Sequence, residues 1–417
     1  MPRLLRENPA FARLWLAQVI SQAGDWLNRM AILTLIGSVG GGGAAVGIGL
    51  LFGLELALRL LPAALFGPLA GPMADRLPRR LVLVATDLVR AVFVASMWFV
   101  REAEDLPWLY ALIAAQTATS IVFEAARSAA VPDTVAHADL ARAHTLSAAT
   151  WSVMLSVGAI AGGALVHAIG IHPVFLVDAA TYLASALCLV GLRLPPVAAQ
   201  SEPFRWRDVL VLRELRRGYE HARAAGVAPA LWAKTFWGGA GGFLVLLSLM
   251  GREEGATDGS TVEAGDAAFA TGVLYAARGV GTGVGPYLAQ ALFGTSDRAL
   301  ERQIAWSFVV AAFGYAIFGL MENLAAASFW VAVAHLGGAT LWVASTVRWQ
   351  RHVHTGFRGR VYAFETLFMN VAFAAGGLVA GVVFDVSGSL TITAWTVAGL
   401  VLGLGAAWSW LRSSQGD

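Results

Sequence analysis

The sequence predicts an all-α membrane protein: twelve transmembrane helices arranged as two six-helix bundles. Three observations carry this reading. The chain of 417 residues is 57% hydrophobic and only 13% charged, where a soluble domain carries about 25% charged residues. Its apolar residues gather into runs of the ~20 residues that one bilayer crossing needs. Its arginines alternate from loop to loop in the pattern that orients helices in a membrane.

The runs lie near 11–37, 44–70, 81–101, 107–128, 145–169, 172–193, 229–250, 267–293, 302–321, 325–348, 361–384 and 389–411. Several, such as 146–169 and 388–411, contain no charged residue. Arg3 and Arg6 precede an apolar stretch as in a signal peptide, but the stretch outruns such a segment and reads as the first crossing. Basic residues test the count. Arg13, Arg76, Arg79, Arg80, Arg127, Arg142, seven arginines from Arg193 to Arg223, Arg298, Arg302, Arg348, Arg351, Arg358, Arg360 and Arg412 all fall where a cytoplasmic N-terminus places the inside. Only Arg101 and Arg252 fall outside, beside Glu102, Glu104, Asp105, Glu253 and Glu254. A miscounted crossing would scramble that alternation.

Other function classes find no support. The net charge of +2 gives no reason to expect nucleic acid. The single cysteine, Cys188, rules out an internal disulfide and a multi-cysteine metal site. There is no phosphate-binding GxxxxGK[ST] loop, and GVGTGVGP at 279–286 sits inside an apolar run as a helix-packing stretch. His352 and His354 lack further ligand residues nearby, so no metal site is expected. No catalytic constellation is present, and the chain does not read as an enzyme.

The only long connection on the inner side, 194–228, separates an N-terminal bundle (1–193) from a C-terminal one (229–417). Within it, Leu212, Leu215 and Tyr219 recur at helical spacing opposite several arginines. This describes either a helix lying on the inner membrane face or a solvated linker helix. The halves match at a constant offset of 218 residues: Gly24 with Gly242, Gly67-Pro68 with Gly285-Pro286, Arg142 with Arg360, and Gly158, Gly163 and Gly170 with Gly376, Gly381 and Gly388. A duplicated six-helix unit places a substrate near the bilayer midplane, between the halves.

The loop GPMADRLPRR, Gly71 to Arg80, resembles the signature loop of the major facilitator superfamily, with Met73 and Pro78 as departures. Its cytoplasmic gate residues are Gly71, Asp75, Arg76, Arg79 and Arg80, and a degenerate copy follows as Asp297-Arg298 with Arg302. An aspartate there can face a helix N-terminus, and the arginines can pair with carboxylates or anionic headgroups, latching the inner side of the two halves. The stretch SVGAIAGGAL, with Gly158, Gly162 and Gly163, is similar to the glycine-rich motif of drug–proton antiporters, with Ala159 where proline is usual. Its small residues also allow close helix packing. Together with FARLWLAQVISQAGDW (11–26), ARSAAVPDTVAHADLARAHTL (126–146) and FRGRVYAFETL (357–367), these segments resemble the bacterial branch that includes macrolide and enterobactin exporters.

Ionisable residues inside the crossings cost about 2.5–3.5 kcal/mol each on insertion scales and so need a reason. Asp25, with Asn28 and Arg29 a turn on, lies halfway along the first run. Glu55 and Arg59 share a face of the second. Arg278 interrupts the eighth run, and His335 lies within the tenth. Asp87, Arg90, Glu124, Arg127, Lys234 and Glu365 lie nearer the inner surface, and Asp178 nearer the outer end of its run. Asp25 and Glu55 are the leading candidates for proton coupling, because burial favours the protonated carboxyl. Arg59 or Arg278 would tune them or contact an anionic part of the substrate. The alternative is static pairing, of Glu55 with Arg59 and of Asp25 with Arg29. Trp26, Trp151, Trp232, Trp237 and Tyr275 could line a cavity for a bulky compound or mark the membrane interfaces.

The resemblance implies proton-gradient-driven efflux of a hydrophobic or amphipathic small molecule by alternating access. The expectation is no cofactor, a small-molecule substrate and membrane lipid as partners, and a bacterial inner-membrane location with both ends cytoplasmic by the arginine alternation; the sequence leaves the oligomeric state open, and a monomer is the expected working unit. Import or lysophospholipid transport on the same fold is the alternative, followed by a non-transporting sensor or assembly protein.

Overall fold

The computed structural model describes residues 2–40, 46–74, 77–136, 139–195, 212–255 and 263–414. A short α1 (Pro2–Glu7) precedes α2 (Pro9–Gly40), α3 (Ile48–Ala74), α4 (Arg79–Ser96), α5 (Leu106–Ala130), α6 (Leu140–Val153), α7 (Ala159–Ile169) and α8 (Ile171–Val190). Then come α9 (Leu212–Ala224), α10 (Ala228–Phe236), α11 (Gly241–Glu254), α12 (Ala264–Phe293), α13 (Asp297–Phe318), α14 (Leu324–His352), α15 (Arg358–Ser387) and α16 (Leu390–Ser413). A π turn, Met154–Gly158, joins α6 to α7, and a 3-10 turn, Trp237–Ala240, joins α10 to α11. Counting each joined pair once and leaving out α1 and α9, these are the twelve crossings. Among the described residues, nine helical stretches are apolar and long enough to span a membrane. The other three crossings are α2, α12 and α13, and α2 alone carries Gln18, Gln22, Asp25, Asn28 and Arg29.

Local chemistry sets the helix ends. Ser296, Asn323 and Ser389 accept hydrogen bonds from backbone N–H groups in the first turns of α13, α14 and α16, each satisfying a donor that the helix leaves unpaired. Gly170 and Gly388, partners across the repeat, end α7 and α15 with φ of 83° and 61°, a region that a side chain disfavours.

The hydrophobic interior shows how the halves sit. One large core draws Met30, Phe52 and Ile113 from the first half together with Phe243, Leu274 and Tyr315 from the second. Toward the side where α9 lies, here the linker side, the interior divides. Phe11, Leu14, Leu83 and Phe123 form one satellite core, and Leu231, Trp349, Val361 and Phe364 another. The halves are therefore joined at mid-depth and on the far side, and parted on the linker side.

Helix pairs repeat the pattern. On the far side α3 crosses α15 backbone to backbone: a Cβ at Gly381 would lie 2.4 Å from the Gly49 carbonyl oxygen. Asp385 of α15 accepts hydrogen bonds from the N–H groups of Gly49 (2.7 Å) and Leu50 (2.8 Å). Arg252 of α11 reaches across to the Gly37 carbonyl at 3.1 Å. Near the linker end of α3 a Cβ at Gly67 would meet no neighbouring group within 4 Å, and Leu65 is 68% exposed. On the other seam α12 packs on α7 through Gly272, and on the π turn through Gly279 against Ser156, while the same face is open at Gly283.

Residues 212–224 of the linker form the helix α9. It docks on the start of α15: Leu215 and Ala222 are buried, Tyr219 stacks on Phe364 at 5.1 Å, and Arg360 pairs with Glu214. The Arg360 hydrogen bond holds the Glu214 carboxyl below its usual range. Residues 196–211 lie outside the described residues.

Candidate functional site

Two polar networks occupy the interior. The first lies inside the N-terminal half, where α2, α4, α5 and α8 meet. Asp25 accepts a hydrogen bond from the Tyr182 hydroxyl, and Gln116 donates to the same hydroxyl at 3.0 Å. Asn28 donates to Gln116 at 3.4 Å. On α4, Asp87 pairs with Arg90 and accepts from Ser185 at 2.7 Å. The Arg90 guanidinium lies over the rings of Phe123 (4.2 Å) and Tyr182 (4.4 Å). Behind these groups Asp178 is fully buried. One of its oxygens accepts from Thr181 at 3.1 Å, and the other has no partner. Gly24 permits this convergence, since a Cβ there would lie 2.1 Å from Asp178 Oδ1.

A cavity of about 580 Å³ leads to this network from the linker side, running from Glu124, Arg127 and Trp151 to Asp25 and Arg90. The sequence expectation put Asp87 and Arg90 near one surface and Asp178 near the other. The packing of α2, α4 and α8 gathers all three into electrostatic reach of Asp25, and the Asp25–Arg29 pairing does not form. Arg29 turns instead toward Tyr275 and Glu55.

The second network lies between the halves. Glu55, 2% exposed, pairs with Arg59 one turn along α3 and lies 3.9 Å from Arg29 of α2. Arg29 also contacts the Tyr275 hydroxyl at 3.4 Å. Its guanidinium sits 5.3 Å from the Tyr275 ring, and that of Arg278 sits 5.8 Å from the same ring. Trp26 meets Tyr275 edge-on at 6.0 Å. His335 donates to, or accepts from, nothing in this network: its Nδ1 contacts the Val331 carbonyl on its own helix at 2.9 Å, and its ring faces Phe243 and Tyr315.

The remaining sequence-derived residues distribute as follows. Gly158 and Gly162 pack against α2 at Trp26 and Leu27, and Gly163 against the Ala268 carbonyl of α12, so this motif seats both an intra-half and an inter-half crossing. Arg79 pairs with Asp133 and donates to the Ala129 carbonyl at 2.9 Å. Arg80 lines a surface cavity with Arg13 and Arg193. Gly71 falls within α3; Asp75 and Arg76 lie outside the described residues. In the degenerate copy, Asp297 contacts His352 at 2.6 Å, Arg351 at 3.1 Å and Arg348 at 3.4 Å. Slight burial pushes the Asp297 carboxyl up, but the His352 and Arg351 hydrogen bonds and the Arg348 charge outweigh it and hold it below its ordinary value. The ion pairs of Arg79 and Asp297 stay within their own halves.

Lys234 and Glu365 form a buried pair at 2.8 Å. Thr346 accepts from Lys234 at 2.7 Å, and Trp349 donates to Glu365 at 3.1 Å. Each member of the pair thus has a charged partner and a further hydrogen bond. Of the aromatics, Trp151 lines the cavity, Trp232 packs against Tyr219 and Phe364, and Trp237 lies on Phe308. Among the described residues no cluster of His, Cys, Asp and Glu could hold a metal ion. Sequence reasoning passed over Tyr182, an aromatic in an apolar run; its only signal was spacing, one turn beyond Asp178.

A duplicated twelve-helix bundle, closed on one side and parted on the other, defines an α-helical polytopic membrane protein. The description of the Major Facilitator Superfamily matches residues 14–265, and the chain belongs to that family. It is 30% identical over 193 residues to YfiS of Bacillus subtilis (strain 168), an uncharacterised MFS-type transporter, covering 45% of this chain and 43% of that one. It is 29% identical over 150 residues to the putative bacilysin exporter BacE of Bacillus amyloliquefaciens, covering 36% and 37%. The chain thus spans less than half the length of these curated relatives. A mutant of the nucleoside transporter NupG superposes with a TM-score of 0.73 at 15% identity, covering 97% of this chain and 100% of that one, which shows the shared fold. Family and fold are those of transporters, not of enzymes.

Proposed function

We propose that this chain is a proton-driven secondary transporter that exports a hydrophobic or amphipathic small molecule by alternating access. The observation that carries this reading is the N-terminal network. Asp25 sits at the end of a cavity open to one side, hydrogen-bonded through Tyr182, with the buried Asp178 behind it, one of whose carboxyl oxygens has no partner. A desolvated carboxyl that forms no direct ion pair takes a proton more readily than a paired one, and such a group beside a one-sided cavity can load and release that proton as access alternates. Glu55, held by two arginines, couples the same event to the seam between halves.

Export as the direction draws on the partial likeness to BacE. The arginine distribution favours an inner-membrane orientation with both ends in the cytoplasm. Residues 1–193 and 229–417 then act as the two moving bundles, with 194–228 between them, and one chain suffices for function.

The test uses inside-out vesicles with an imposed pH gradient and a panel of labelled amphipathic compounds. Asp25→Asn is expected to lower gradient-driven accumulation at least about a hundredfold, Asp178→Asn to impair it, and Glu55→Gln to uncouple it while binding persists. Normal accumulation by Asp25→Asn and Glu55→Gln would end the proton-coupling reading.

A further inference from the structure

The face between the halves carries more positive charge than its carboxylate balances. Glu55 is shared by Arg59 and Arg29. Arg278, contributed by α12 of the other half, forms no ion pair among the described residues; its neighbours are Tyr275, Tyr315 and Arg29 itself. Each arginine also keeps a buried guanidinium nitrogen without a partner: Nε of Arg29, Nη2 of Arg59 and Nε of Arg278. Guanidinium groups stay charged in proteins, so this site cannot relieve itself by losing a proton as a lysine or histidine site could. Like charges in a low-dielectric interior repel strongly. The chain shows elsewhere how it settles a buried cation: Lys234 is met by Glu365, Thr346 and the Trp342 ring. At Arg278 no described residue supplies the corresponding anion.

Geometry says what would fill the role. Arg29 and Arg278 approach one ring, Tyr275, from opposite halves. Their N–H groups suit the planar oxygens of a carboxylate or phosphate, which arginine binds in a forked manner. Trp26, edge-on to Tyr275, supplies an apolar wall beside that point. We propose that Arg29 and Arg278, with Arg59 behind them, bind the carboxylate or phosphate of an amphipathic solute at the seam between the halves. This rests on the transporter reading for its purpose but not on proton coupling. It narrows the substrate class to molecules with one anionic group on an apolar body.

The experiment uses full-length protein in nanodiscs without a pH gradient. Three probes share one skeleton: 2-naphthoxyacetate, its neutral amide and 2-naphthoxyethylamine, with affinities read by equilibrium dialysis. The carboxylate is expected to bind at least about tenfold tighter than the amide, the scale of a hydrogen bond to a charged group, and the amine weakest. Arg278→Gln is expected to erase that preference, and Arg278→Lys to restore part of it. Melting temperatures of the unliganded variants confirm folding, and the wild-type series stands if a variant fails to fold. Equal binding of amide and carboxylate, preference for the amine, or an unchanged preference in Arg278→Gln would overturn the proposal. Replacing phosphatidylcholine with phosphatidylglycerol separates solute from headgroup: unchanged carboxylate affinity supports a solute site, and its loss assigns the site to lipid and overturns it. A failed vesicle assay for coupling leaves this result standing, and the reverse holds equally.

Discussion

The two halves share a scaffold and differ in what they bury. At the repeat offset, Asp25 corresponds to Phe243, Asp87 to Ala305, Arg90 to Phe308, Asp178 to Thr396 and Tyr182 to Leu400. Where the first half holds a proton-capable network, the second holds Phe243 stacked on Tyr315 at 3.8 Å, and Phe308 between Trp237 and Trp408. The duplicated helices kept their glycine contacts, so the backbone frame survived while the interior chemistry diverged. Under the proposed function the first half carries the ionisable machinery and the second supplies a rigid aromatic frame. A finer swap appears near the linker side: Arg79–Asp133 and Asp297–Arg351 occupy corresponding positions with their charges exchanged. On the far side, Asp385 faces the start of α3 at the place where His167 faces Asp266 at the start of α12, 3.2 Å away.

The comparison can be broken first at the buried pair of the second half. Lys234→Met is expected to cost about 3–5 kcal/mol, because it strands a buried carboxylate; adding Glu365→Leu should recover most of it, as read from melting in detergent. If the double variant is stable yet loses gradient-driven transport, the second half is more than a frame. A smaller effect sharpens the charge exchange. Arg79→Asp or Asp133→Arg alone should cost about 1 kcal/mol, and the double variant should return to within about 0.5 kcal/mol of the parent, since the pair is a partly exposed ion pair whose energy is local. Failure of the double variant to recover would show that the halves are not interchangeable there. The smallest effect concerns the linker. The Glu214 carboxyl is held low by Arg360, so its contribution is present above the ordinary carboxylate range and lost as pH falls through the lowered value. Protease protection of α9 should weaken only on acidification, and Glu214→Gln should remove that dependence.

Much of the frame was legible in the sequence. Twelve apolar runs, checked by arginine placement, locate the crossings within a few residues, and the recurring glycines mark helix contacts and helix ends. The π turn before Gly158 and the 3-10 turn at Trp237 were not, because single turns of altered winding leave no periodic trace in composition. The site was legible only in part. Asp25, Glu55, Arg59 and Arg278 stand out because each charge interrupts an apolar run. Their partners do not, since depth along a run says little about rotation around it. Asp25 reads naturally with Arg29 one turn on, yet the structure gives it Tyr182 from α8, a choice set by the close crossing at Gly24. Asp87 and Asp178, read from position as lying toward different ends of their runs, belong to one network because α4 and α8 both pack beside Asp25 and Arg90, with Ser185 of α8 donating to Asp87.

Asp385 gives the far-side closure an energetic signature. It works as a cap for a helix belonging to the other half, and exchanging a side-chain cap for water costs about 0.5–2 kcal/mol. Parting that seam strips two amide groups of their acceptor and hands them to the solution beyond it. Under the proposed function, this one carboxylate on the side away from the linker would help set which side rests closed, and solutes there that compete for the exposed amides would tilt that balance.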